Sequence, residues 1–238
     1  ATGASSVATH DAAGRLGSDA DGNGQVSSFT YDGTGRRTRR IDALGNETRE
    51  QYDAAGNLLR LIDAAGNVFA FTYDDLDRQT QVTLPDGTIR TQAFNAVGEV
   101  ISSTDALGRE TRYEYDAKGN LAAVVDPLAG TTRYAYDAEA NLIRQTDANG
   151  NVTRFVYDEN GRMARRIYPD GSTESQTYDA AGRVATMTGP DGGVTTLEYD
   201  AVGQVLRKTF PDATTESFTY SLSGRMLTAT NSAGSVTF

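Results

Sequence analysis

The chain has 238 residues, a net charge of −10 and 38% hydrophobic residues, ample material for one large domain or two small ones. It has no cysteine, which excludes disulfides and thiolate metal sites, and no apolar run approaches the roughly 18 residues of a membrane-spanning helix. The acidic balance argues against nucleic acid as a partner, and the 22 basic residues are almost all Arg, with Lys118 and Lys208 the exceptions.

The chain opens without Met and without a charged-then-apolar leader, so no signal peptide is visible. After Gly3, the segment Ala-Ser-Ser-Val-Ala-Thr reads as a strand and leads into His10-Asp11-Ala-Ala-Gly14. His10 is the only histidine, which leaves a His-based triad or classical zinc site without partners. It reads instead as a degenerate repeat position. A Tyr-Asp pair takes its place at 31, 52, 73, 115, 136, 157, 178 and 199, in steps of 21 residues with one interval doubled.

Next comes Asp19-Ala-Asp21-Gly22-Asn23-Gly24-Gln25-Val26. Oxygen ligands at the first, third and fifth places and Gly at the sixth open a calcium loop, which makes Asp19, Asp21 and Asn23 a weak calcium candidate. The twelfth place, normally Glu, is Thr30, and Asp21 and Gly24 also fall in the repeat's own turn columns. Arg36-Arg37-Thr38-Arg39-Arg40 is the one basic run. As a strand it projects Arg to both faces, with Asp42, Glu47 and Glu50 close enough in sequence to offset it.

The unit beginning at Tyr52 shows the repeat in full. Tyr52-Asp53-Ala-Ala-Gly56-Asn-Leu-Leu-Arg-Leu-Ile62 is followed by Asp63-Ala-Ala-Gly66-Asn-Val-Phe-Ala-Phe-Thr72. Each half is a turn followed by β-favouring residues. Asp opens the turn by bonding backbone amides two residues on, and Gly supplies the positive φ. Gly35, Gly56, Gly119, Gly161, Gly182 and Gly203 mark the first turn, a column broken by Asp77 and Ala140; Ala129 and Ala213 break the second. Pro85-Asp86, Pro169-Asp170, Pro190-Asp191 and Pro211-Asp212 close second turns by presetting φ instead. Phe94-Asn95 and Tyr220-Ser221 are variants of the Tyr-Asp pair. Asp126-Pro127-Leu128-Ala129-Gly130 sits in an ordinary second-turn column.

A turn every 10 or 11 residues, with no helical periodicity between, predicts successive antiparallel hairpins. Residues two before each Tyr, such as Phe71, Tyr134 and Phe155, share its face, and Leu58, Leu121 and Leu142 lie six after it. The predicted fold is all-β: tandem 21-residue β-hairpin repeats in an antiparallel sheet. Residues 1–238 read as a single array of about eleven repeats that starts and ends inside a repeat, a fragment of a longer chain. Open sheet edges would then pair with the rest of the parent chain or with other copies.

The units Tyr52-Asp-Ala-Ala-Gly-Asn-Leu, Tyr115-Asp-Ala-Lys-Gly-Asn-Leu and Tyr178-Asp-Ala-Ala-Gly-Arg-Val resemble the rearrangement-hotspot, or YD, repeat family over the whole chain. That resemblance implies a long curved sheet that spirals into a hollow shell or barrel. In bacterial members such a shell often encloses a C-terminal toxic domain, and a core segment with paired aspartates cuts that domain free. Asp126-Pro127 only faintly resembles the opening of that segment, and nothing downstream completes it.

Catalysis by paired carboxylates needs two unlike environments in one cleft. Asp32, Asp53, Asp74, Asp116, Asp137, Asp158, Asp179 and Asp200 instead recur in one environment, each beside Tyr31, Tyr52, Tyr73, Tyr115, Tyr136, Tyr157, Tyr178 or Tyr199. They read as structural positions, with no catalytic residue and no cofactor. Two functions remain. One is a non-catalytic module of a secreted or surface bacterial protein, part of a shell that encloses or presents a toxin domain. The other is an extracellular adhesive or fibrous module that binds glycans or itself. Neither inserts into a membrane.

Overall fold

The computed structural model describes residues 7–237; Gly3 and the first residues of the expected opening strand lie outside them. The described residues form 23 strands and no helix. The chain divides into two compact units, Ala1–Tyr113 and Glu114–Phe238. Within each, every strand pairs antiparallel with its sequence neighbours, as Leu58–Ile62 does with Glu47–Tyr52 and Val68–Tyr73.

Both turns of a repeat are built alike. At the first, the Gly161 amide donates to the Asp158 carbonyl (3.0 Å) and the Asp158 amide to the Arg162 carbonyl (2.9 Å). That is the pattern of a three-residue hairpin loop closed by one residue in the left-handed region, and Gly161 has φ 73°. Leu84-Pro85-Asp86-Gly87 closes in the same way, with Pro at the second turn position. The four residues that break the glycine columns keep that conformation without being glycine: Asp77 (φ 58°), Ala129 (66°), Ala140 (65°) and Ala213 (64°). For an L-residue this costs roughly 1–2 kcal/mol.

The final turn departs from the pattern. Asn231 still accepts from the amide two residues on, Ala233 (2.9 Å). The chain closes one residue earlier, however, so Asn231 faces Gly234, and Gly234 begins the strand Gly234–Thr237 instead of closing a turn.

Across each second turn the ladder is unbroken, as in Arg39↔Arg49 and Ile41↔Glu47. Across each Tyr-Asp turn it slips. Thr30 faces Arg39 but Tyr31 faces Arg37, which leaves Thr38 as a β-bulge. The bulge follows from the odd repeat length. With unbroken ladders, a residue and its counterpart 21 positions on would be one step out of row and so on opposite faces. The extra residue makes the offset two. The row Thr30–Arg39–Arg49 thus reaches, after two strands, a residue 19 positions on. Tyr columns stay on one face, with a stagger of about 6.6 Å along the strand for every 9.6 Å or so across it.

Among the described residues only Ala123 is fully buried (1% exposed). The Tyr column and its aromatic partners are half-buried. With no deep core, the half-buried aromatic column and the polar links between repeats together hold neighbours in place.

Candidate functional site

What recurs is a polar clamp joining each repeat to the next at the Tyr-Asp turn. In the turn at Asp179, Oδ1 accepts from the Ala181 and Arg183 amides (2.9 Å each), while Oδ2 accepts from Arg183 Nε (2.7 Å). The same guanidinium donates through Nη1 to the Asp200 carbonyl of the next repeat (2.9 Å) and lies 4.6 Å from the Tyr199 ring centroid. Tyr199 returns the link, its hydroxyl donating to the Val184 carbonyl (2.8 Å). The arrangement repeats at Arg15 with Tyr31 and at Arg36 with Tyr52. The tyrosine bond also recurs from Tyr73 to Leu58, Tyr136 to Leu121, Tyr157 to Leu142, Tyr178 to Met163 and Tyr220 to Val205. Tyr52 instead donates to Glu50 (3.3 Å), which is also held by Arg37.

Where Asn replaces Arg, it still bonds its own Asp but does not reach the carbonyl at the next Tyr-Asp turn, and at two of these places another contact crosses to the next repeat. Asn57 bonds Asp53 and also Asp77 (2.6 Å), one of the strained left-handed residues. Beside Asn120, Lys118 donates to the Ala138 carbonyl (2.9 Å). At the degenerate pair Phe94-Asn95 the polarity reverses: Asn95 donates to Glu99 (2.6 Å), and Arg78 covers the Phe94 ring at 4.7 Å.

Several turn carboxylates, among them Asp53, Asp158 and Asp179, are held as anions. The hydrogen bond from the Arg162 side chain, then that from its amide, keeps Asp158 below the ordinary Asp range. The Asn57 side chain does the same first for Asp53. Glu47, bonded by Arg49 and Arg39, is held down to about 2. Burial pushes the Tyr136 phenol up. A repeated, ionised, internally satisfied carboxylate suits positioning rather than proton transfer.

The calcium candidate is not assembled. Asp19 lies within the strand Leu16–Ala20, opposite Ala8 and Ser27, while Asp21 Oδ1 is committed to the Asn23 and Gln25 amides (2.8 and 2.9 Å). Among the described residues no three His, Cys, Asp or Glu side chains gather to hold a metal. His10 is an exposed strand end facing Leu16. Asp126 makes an ordinary turn, its Oδ1 accepting from the Leu128 and Gly130 amides (2.8 and 2.9 Å). Three arginines of the basic run are ion-paired, Arg36 with Asp32, Arg37 with Glu50 and Arg39 with Glu47. The guanidinium lies over the Tyr31, Tyr52, Tyr178 and Tyr199 rings, on the surface a sugar would stack against.

The Arg partner escaped the sequence reading, although a signal was present. The residue after the first Gly column is Arg or Asn beside Asp, with Gln204 the one exception, and it is Glu only at Glu99, where Asn95 replaces Asp.

The sequence matches the family described as RHS Repeat at residues 10–47, 52–89, 94–131, 115–141, 136–173, 178–215 and 199–236. No curated protein matches the chain by sequence. By structure it is similar to the TcdB2-TccC3 crystal structure without the hypervariable C-terminal region, at TM-score 0.56 and 16% identity, over 95% of this chain. It spans only 16% of that protein. A Photorhabdus luminescens Tc holotoxin pore aligns over the same share of this chain and 18% of its own, at TM-score 0.45 and 16% identity. The register of Tyr-Asp turns, the hairpin built on each and the seven matched segments place this chain in the RHS repeat family, as a structural β-sheet repeat module.

Proposed function

We propose that this module is non-catalytic and forms part of a wall in a larger secreted or surface-displayed bacterial protein, a hollow β-shell that encloses or presents a C-terminal toxin or effector domain. The observation that carries this reading is the regular clamp, which joins repeat to repeat at a constant two-residue stagger. Stagger of that kind is what lets an antiparallel sheet coil instead of lying flat. On this reading residues 1–238 act as one continuous array, and the Tyr-Asp positions are structural throughout. The module's partner is the rest of its parent chain, at the open strand edges and at the enclosed domain.

The test is denaturing mass spectrometry of the parent protein purified natively from its source. A separate polypeptide released only on denaturation supports enclosure. A single uncut chain made of repeats throughout would overturn it in favour of an adhesive or fibrous role.

A further inference from the structure

Four arginines on neighbouring strands of the second unit stand on one face with no counter-charge. Arg144 in Leu142–Thr146 lies directly opposite Arg154 in Val152–Tyr157. Arg144 also faces Ala135, two residues from Arg133 in Thr131–Tyr136, and so has Arg133 as its diagonal neighbour on the same face. Arg165 in Met163–Ile167 faces Val156, two residues from Arg154, and extends the strip by a fourth strand. All four are exposed. Among the described residues none of their guanidinium groups has an ion pair or hydrogen bond. Four strands span about 14 Å.

Like charges directly opposite one another destabilise a sheet, and the first unit handles the same geometry differently. There Arg39 faces Arg49, and both pair with Glu47. Arg112 likewise pairs with Glu110 (2.7 Å), two residues before it in its strand. At the corresponding places before Arg133 and Arg154 stand Thr131 and Val152. The neutralising carboxylate is missing here and not in the other repeats that carry arginine at this column.

We propose that this strip docks an acidic polypeptide segment. Carboxylates on alternate residues of an extended strand are spaced about 6.6 Å apart, close to the roughly 7–8 Å between diagonal neighbours such as Arg133 and Arg144 or Arg154 and Arg165. A nucleic acid fits less well. Its charge continues beyond 14 Å or so, and the turns bounding these strands carry Asp137, Asp147 and Asp158 in a chain of net charge −10.

The test is fluorescence anisotropy of the intact chain with a labelled octaglutamate peptide and, separately, a labelled single-stranded octanucleotide, in low salt. The expected result is saturable peptide binding that weakens about tenfold in the variant Arg144→Gln with Arg154→Gln. In Arg39→Gln with Arg49→Gln binding should stay within about twofold. Circular dichroism of both variants confirms the sheet. No saturable peptide binding, an equal loss in the two variants, or tighter binding of the oligonucleotide than of the peptide would each overturn the proposal.

Discussion

Removing one hydroxyl tests the clamp most directly. Tyr136 is half-buried, and its hydroxyl donates to the Leu121 carbonyl of the preceding repeat at 3.0 Å. Tyr136→Phe keeps the ring and deletes that bond, so the expected loss is about 1 kcal/mol, the net value of an ordinary protein hydrogen bond. Tyr136→Ala removes the ring as well. A fully buried aromatic would cost about 3–5 kcal/mol. With the ring half-exposed, about half that value plus the bond gives roughly 2.5–3.5 kcal/mol. Repeat arrays couple mainly through nearest neighbours, so a single unfolding midpoint dilutes the effect. Amide hydrogen exchange resolves it. Protection should fall in the strands Leu121–Val125, Thr131–Tyr136 and Leu142–Thr146 and stay unchanged in Val205–Thr209. A Phe variant indistinguishable from wild type, or a loss spread evenly over the unit, would refute the reasoning.

Phe94→Tyr should add the missing bond to the carbonyl of Gln79, which occupies the place of Leu121, and raise stability by about 0.5–1 kcal/mol in urea titration. Ala129→Gly, Ala140→Gly and Ala213→Gly should each stabilise by about 0.5 kcal/mol, because relief of left-handed strain exceeds the entropy that glycine gains on unfolding; a loss at all three sites would show that the alanines are not strained. Asn95→Asp and Glu99→Arg should each destabilise alone and together restore the ordinary clamp, with a coupling near 1 kcal/mol in a double-mutant cycle. Asp53, Asp158 and Asp179 have folded values below their unfolded ones, so their stabilisation is complete above about pH 5 and is lost as pH falls through and below about 4. Melting temperature should therefore be flat from pH 7 to 5 and fall below 4, less steeply when Asp158 is replaced by Asn.

Much of this fold was legible because one residue in each turn has little choice. Asp and Gly announce the hairpin wherever they recur, and the places where Gly fails, at Asp77, Ala129, Ala140 and Ala213, still adopt its conformation. The bulge was visible only as unequal half-units of 10 and 11 residues, since a pattern of apolar positions does not show which residue goes unpaired. The clamp escaped for a different reason. Its partners are 15 and 17 residues apart and meet only once the stagger is known, as with Tyr199 to Val184 and Arg183 to Asp200. The calcium spacing was counted along a loop, whereas Asp19 belongs to a strand and Asp21 to the turn that follows it.

The reciprocal exchange between neighbours also governs how such a gene can change length. Where the clamp is complete, a repeat gives one guanidinium bond forward and receives one phenol bond back, at the same offsets each time. Excising or duplicating a whole repeat therefore leaves each junction with the partners it had before. Excising half of one strands a hydroxyl opposite the wrong turn, and any odd slip turns the aromatic column to the other face. Unequal crossing-over between copies is harmless only in whole repeats, so the architecture itself filters which recombinants fold.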